Sequence, residues 1–272
     1  GKTTGALAHG GFCRYPYGGA SVYTIKNFKN ESTVNVTGTI GDNIESGGLC
    51  GYISATLLVD KDTEIKENFT VSGKVTKYVG YGGYWGNINH GSTTDKYQGV
   101  HSGNITITGT VGTNVVIGGI GAQHKAAINL DGVVNSGNIT LGTAEKPLTV
   151  NGTYFRVGGI SCGGATGYDD DNLVHQLTNV VNTGNITMEN VTLAETVTLV
   201  QVGGIFGYCS SPVDNATSYC NIKVVGVPIA QVGMFSGSTR STTSLATNLK
   251  VGGAIAGEYN EEEDEYNLID IT

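Results

Sequence analysis

The stretch Val157-Gly158-Gly159-Ile160 returns as Ile117-Gly118-Gly119-Ile120 and Val202-Gly203-Gly204-Ile205, and more loosely as Ser46-Gly47-Gly48-Leu49 and Tyr81-Gly82-Gly83-Tyr84. His9-Gly10-Gly11-Phe12 and Val251-Gly252-Gly253-Ala254 stand near the two ends. A second marker keeps step with it: Asn104-Ile105-Thr106-Ile107, Asn138-Ile139-Thr140-Leu141, Asn185-Ile186-Thr187-Met188 and Asn221-Ile222-Lys223-Val224. Weaker copies begin at Thr33 and Asn68. From position 33 the second marker steps by 35, 36, 34, 47 and 36 residues, and from position 10 the glycine pair steps by 37, 35, 36, 40 and 45. Two markers in one phase make a true repeat of about 35–45 residues.

A third element precedes the asparagine marker: Gly132-Val133-Val134-Asn135-Ser136-Gly137, Asn179-Val180-Val181-Asn182-Thr183-Gly184 and, faintly, Gly99-Val100-His101-Ser102-Gly103. One repeat therefore reads as three short strands separated by glycine or asparagine turns. Alternation such as Ile105/Ile107 against Thr106/Thr108 buries one face of each strand. Three short strands enclose no core alone, but copies stacked along an axis share a continuous one. The expected architecture is all-β, a single-stranded parallel β-helix (β-solenoid) of about six to seven repeats with three short strands each. Right-handed coiling is expected from the general preference of parallel crossovers. Ile105, Ile107, Ile139, Leu141, Ile186 and Met188 should form inward ladders, and Asn104, Asn138, Asn185 and Asn221 should stack at a corner. A β-propeller fits less well, since its blades need four strands.

Composition agrees. Glycine contributes 43 of 272 residues, roughly twice its usual share, while only 4 prolines are present, which excludes collagen. A chain poor in helix formers and rich in Thr, Val, Ile and Asn favours strands and turns. The net charge of −8, with just three arginines (Arg14, Arg156 and Arg240), argues against nucleic-acid binding. No apolar run reaches the length of a membrane span. Lacking an initial Met and a signal segment, the chain reads as a mature or excised portion of a longer precursor. With no internal linker, residues 1–272 form one domain. The acidic stretch from Glu258 breaks the pattern, so residues 258–272 are expected to be a cap or tail.

The phrase Asn-Ser-Gly-Asn-Ile-Thr followed by Val-Gly-Gly-Ile-x-Gly (residues 135–140 with 157–163, and 182–187 with 202–207) resembles repeats in surface proteins of gut Bacteroidetes and the GLUG-motif repeats of secreted bacterial proteins. It covers about residues 30 to 257. The resemblance implies an adhesin-type β-helix, exported and envelope-associated, belonging to a larger surface molecule. It carries over no catalytic residue.

Candidate chemistry lies where the repeat breaks. Tyr78, Tyr81, Tyr84, Trp85 and Tyr97 crowd into about 20 residues. Exposed, they would stack on sugar rings or dock a protein; packed under a loop, they would be core. These five are the candidate ligand-binding residues. Tyr15, Tyr17 and Tyr23 form a smaller group near the start. Asp169, Asp170 and Asp171 are weak candidates for calcium, although they lack the spacing of a dedicated loop, and a solvated acidic turn is the plainer reading. No other metal or cofactor is expected, because no Cys-x-x-Cys or matched histidine spacing occurs.

Five cysteines leave at least one unpaired within the chain. Cys13 and Cys50 each lie three positions after the first glycine of a pair, so adjacent coils would bring them within reach; Cys209 and Cys220 could close a short loop. Buried thiols in a ladder are the default, and one disulfide is the alternative in an exported protein. Asp60, Asp62, Asp95 and Asp131 read as scattered over different repeat phases, unlike the paired carboxylates of a glycosidase. The expected function is non-enzymatic adhesion or structure at the cell surface, binding glycan or protein along a lateral face. The alternative is a β-helix that binds or cleaves polysaccharide.

Overall fold

The computed structural model describes residues 2–90, 95–126, 128–164, 176–209, 212–227, 229–239, 246–260 and 265–270. Among them there is no helix. Successive coils pair in parallel, making a β-solenoid of about six turns. A complete coil contains five strands, as in Ile105–Ile107, Gly109–Val111, Val115–Gly118, Gly121–His124 and Asn129–Asn135. The three-strand expectation misses two corners. One falls at Thr108, whose side chain donates to the Val71 carbonyl of the coil before (3.2 Å) and whose successor Gly109 has φ +83°. The other falls inside the glycine motif itself, at Gly119-Ile120.

Three walls and one long sheet result. The first wall stacks the asparagine-motif strands, the second the short strands that follow, and the third the strands ending at the first glycine of each pair. The long sheet has two arms, one leaving the glycine corner and one ending in the Val-Val-Asn motif. In the first wall Ile105, Ile139 and Ile186 are register partners, as are Ile107, Leu141 and Met188. All six are buried. Outside them runs the expected asparagine ladder: the amides of Asn104, Asn138, Asn185 and Asn221 donate to Oδ1 of Asn68, Asn104, Asn138 and Asn185 at 3.0, 3.1, 3.0 and 2.8 Å. The marker asparagines are thus corner residues that satisfy the next coil's backbone.

The coil encloses two apolar cores rather than one. The three walls surround the first, with Phe69, Tyr81, Val115, Phe155 and Val200. The arms of the long sheet hold the second, with Ile53, Tyr84, Trp85, Leu130 and Ile205. A waist divides them, where the second glycine of each pair meets the last strand of the coil. A Cβ on Gly83 would lie 2.4 Å from His101 Cγ, on Gly119 2.4 Å from Asn135 Cγ, and on Gly159 2.2 Å from Asn182 Nδ2. The paired glycines are therefore a corner: the first admits close backbone, and the second makes room for a buried polar side chain.

The polar groups at the waist bond mainly to one another, as buried polar groups tend to, with His101 Nε2 the exception. His101 Nδ1 lies 2.8 Å from Asn135 Oδ1, and Asn135 Nδ2 donates to Asn182 Oδ1 at 2.8 Å. The coil before breaks the file with Ile65, and there Glu67 supplies the polar group. Its buried carboxylate accepts from Asn30 Nδ2 (2.8 Å), Ser32 Oγ (2.7 Å) and the Tyr81 hydroxyl (3.1 Å), and pairs with His9 Nε2 at 2.9 Å. At the other end, Glu265–Asp270 returns antiparallel on Ala254–Asn260, ending the parallel run of the first wall.

Candidate functional site

The structure places four of the five candidate aromatics in the core. Tyr81, Tyr84, Trp85 and Tyr97 are 0% exposed, so they present no belt to a ligand. Tyr81 faces Ile117 in register and stacks on Phe69 with ring centroids 4.0 Å apart. Trp85 lies opposite Gly121, where a Cβ would sit 2.1 Å from the indole, and packs on Tyr97 at 4.8 Å. The large rings fill space left by glycines of adjoining coils, which the sequence shows only as a local excess of aromatics. Tyr78 alone is half-buried, its hydroxyl hydrogen-bonded to Glu45. Asp169, Asp170 and Asp171 lie outside the described residues. Among the described residues no group of three or more His, Cys, Asp or Glu is placed to hold a metal ion.

Two other surfaces carry convergent chemistry. The first is the outer face of the Val-Val-Asn arm. Asp131 pairs in register with Thr178, Thr178 with Asp214, and Asp214 with Thr247. Val59, Tyr97 and Leu130 are successive register partners, so Asp60, one residue on, enters the same file. Asp60, Asp131 and Asp214 thus share one lateral file, which corrects the reading of Asp60 and Asp131 as scattered over different repeat phases. Left-handed backbone recurs one residue after this file in successive coils, at Gly132, Asn179, Asn215 and Asn248.

A shallow cavity of about 390 Å³ opens on this line, bordered by Lys96, Asn129, Asp131, Gln176, Thr178 and Asp214. Lys96 Nζ is 2.9 Å from Asp131 Oδ2, and Asn179 Nδ2 donates to Asp131 Oδ1 at 3.0 Å. Lys96 first, then Asn179, hold the Asp131 carboxyl below its ordinary range. Hydrogen bonds from Thr247 and Asn248 hold Asp214 low in the same way. Both groups are acceptors at neutral pH. Neither is poised as a proton donor, which cleavage of a glycosidic bond requires of one carboxyl.

The second surface is a cavity of about 230 Å³ lined by Ala8, Arg14, Tyr15, Glu45 and Tyr52. Tyr15 and Tyr52 meet edge to face at 4.9 Å, and Tyr15 meets Tyr17 at 5.6 Å. Tyr17 is 71% exposed. Burial pushes the Glu45 carboxyl up, against the opposing hydrogen bond from Asn87 Nδ2 at 3.0 Å. Farther along the same wall Arg156 is buried, its Nε donating to Gln201 Oε1 at 2.8 Å and its guanidinium 4.7 Å from the Tyr208 ring centroid. The sequence signal for this cavity was the isolated Arg14-Tyr15-Pro16-Tyr17 group, which has no counterpart in later repeats.

Cys13 and Cys50 are brought together across adjacent coils, with Sγ atoms 3.8 Å apart. Cys209 and Cys220 are divided between the two cores. No helix among the described residues is long and apolar enough to cross a membrane. Comparison of the chain with protein-family models, with curated proteins and with solved structures gives no match.

Proposed function

We propose that this chain is a non-enzymatic binding module of an exported cell-surface protein, presenting the lateral Asp131–Asp214 face to a glycan. The observation that carries the reading is the in-register file of Asp, Thr and Asn side chains beside a shallow polar cavity. Carboxylate and threonine side chains alternating at the coil spacing of about 4.8 Å, with amide donors beside them, offer hydrogen bonds to successive hydroxyls of an extended sugar chain. Low carboxyl pKa values support binding over hydrolysis, since they leave no general acid in the groove. The resemblance to adhesin-type repeats points to an envelope-associated setting within a larger surface molecule.

A second reading, a polysaccharide-cleaving β-helix, is favoured by one observation. Glu45 has a raised pKa and borders an open cavity with Arg14 and two tyrosines. A glycan array run beside a hydrolase and lyase panel separates the two. Binding that is lost in Asp214→Ala, without new reducing ends or unsaturated products, supports the module. Product release abolished by Glu45→Gln overturns it in favour of the enzyme. Absence of binding to every glycan tested removes the glycan as partner.

A further inference from the structure

Cys13 and Cys50 face each other on the first two coils. They form a lone parallel bridge, set by the Phe12 amide donating to the Leu49 carbonyl (2.9 Å) and the Tyr52 amide to the Arg14 carbonyl (3.0 Å). Residues facing across a parallel pair lie about 4.8 Å apart, inside the Cα span of about 4.4–6.8 Å that a disulfide bridges. The sulfurs, 3.8 Å apart, need to approach to a bonded length of about 2.05 Å. Side-chain rotation supplies that approach without moving either coil. Cys162 and Cys220 are engaged elsewhere, the first donating to the Ala122 carbonyl at 2.9 Å and the second 3.4 Å from Ser218 Oγ.

We propose that Cys13 and Cys50 are a dithiol pair that oxidises to a reversible cross-coil disulfide, clamping the first coil onto the second. Access orders the chemistry. Cys50 is 0% exposed, whereas Cys13 is half-buried, so a small-molecule disulfide meets Cys13 first. The Cys13 thiolate attacks one sulfur of the reagent and expels a thiolate, leaving a mixed disulfide. Cys50, whose bond to Cys13 and burial hold its thiol well above the usual range, gives its proton to solvent base in the slower step, attacks Cys13 Sγ and expels the second thiolate. Two protein thiols lose two protons and two electrons, and the reagent is reduced to two thiols. The accepted hydrogen bond from Cys50 holds the Cys13 thiol below its usual pKa, in keeping with its place as first nucleophile.

The clamp lies where a solenoid gains most from it. A coil in the middle of the stack is bonded on both sides, but among the described residues Tyr17–Ile25 pairs only with Cys50–Val59. In a one-dimensional stack such a terminal coil frays first. The bond also ties the strand entering Arg14 and Tyr15 to the strand carrying Tyr52, so oxidation would fix both sides of the tyrosine cavity. The inference is independent of what either surface binds.

The test uses the full 272-residue chain with oxidised glutathione, followed by maleimide labelling under native conditions and non-reducing peptide mapping. Expected are a peptide linking Cys13 to Cys50, at least a tenfold fall in Cys13 labelling reversed by reduction, and about tenfold greater amide-exchange protection over residues 17–25. Cys13→Ser should abolish the linked peptide and the added protection. Cys50→Ser, which leaves Cys13 accessible, should stop at the glutathione adduct. The proposal is overturned if the wild-type chain retains a labelled Cys13, stops at the mixed disulfide, or links Cys13 between two chains.

Discussion

Two files of asparagine, a long outer one and a short inner one, do opposite work in this solenoid. The outer file, Asn68 to Asn221, is exposed, and each side-chain oxygen receives one backbone amide from the next coil. The inner file, Asn135 and Asn182 continued by His101, is buried at the waist, where amide and imidazole bond chiefly to one another and to nearby backbone. Water can replace a lost bond in the outer file. At the waist it cannot, so the same residue type serves as a replaceable corner in one place and a structural necessity in the other.

The sharpest way to break this contrast is to fill the waist. Gly119→Ala would put a Cβ 2.0 Å from the Gly159 carbonyl oxygen and 2.4 Å from Asn135 Cγ. Backbone cannot yield cheaply, so a loss of about 4 kcal/mol or failure to fold is expected in denaturant unfolding. Gly5→Ala, with nothing within 4 Å, should stay near wild type. Next comes Asn135→Ala, which strands His101 Nδ1 and the Gly137 amide in a buried site and takes one of two donors from Asn182 Oδ1. A loss of about 3 kcal/mol follows from desolvated groups left without partners. If it costs no more than an outer-file change, the contrast between the two files fails.

Acid should act on the waist alone. Burial lowers the His101 pKa from 6.5 to about 4, ahead of the opposing bond to Asn135. Between those values the unfolded chain binds more protons, so stability rises with pH there. The contribution of neutral His101 is complete above about pH 6.5 and is lost as pH falls towards 4, amounting to on the order of 3 kcal/mol. His101→Gln should flatten that part of the stability–pH curve. His9 runs the other way, since Glu67 raises its pKa and its contribution fades as pH rises. The smallest effect belongs to the outer file: Asn138→Ala removes the acceptor of the Asn185 amide at an exposed corner, costing about 0.5–1 kcal/mol.

Much of this was legible in the residues. The spacing of Asn-Ile-Thr against Gly-Gly revealed stacked parallel coils, and alternation within Ile105–Ile107 identified the buried face. Even the inner file was visible as His101, Asn135 and Asn182 at one phase of the third motif, although nothing there told a solvated turn from a buried chain. The lateral file was legible in part. Asp131, Thr178 and Asp214 each stand seven residues before a marker asparagine, Asn138, Asn185 and Asn221, and Asp60 stands eight before Asn68. The unequal distances between the carboxylates conceal that shared phase, and nothing in the spacing told that Lys96 and Asn179 would close on Asp131.

The aromatics fail for a related reason. Tyr81, Tyr84, Trp85 and Tyr97 interrupt the repeat as sequence, and an interruption suggests an insertion on the surface. In space they complete it, because Gly121 vacates the volume of the Trp85 ring and Phe69 offers its face to Tyr81. By itself, the sequence determined the period, the parallel stacking and the outer asparagine ladder, all properties of a local pattern repeated at a near-constant step. Tertiary structure decided the division into two cores, the burial of the aromatics and the pairing of Lys96 and Asn179 with Asp131. Those depend on which side chains meet across coils, and volume and register between distant residues are set by packing rather than by spacing along the chain.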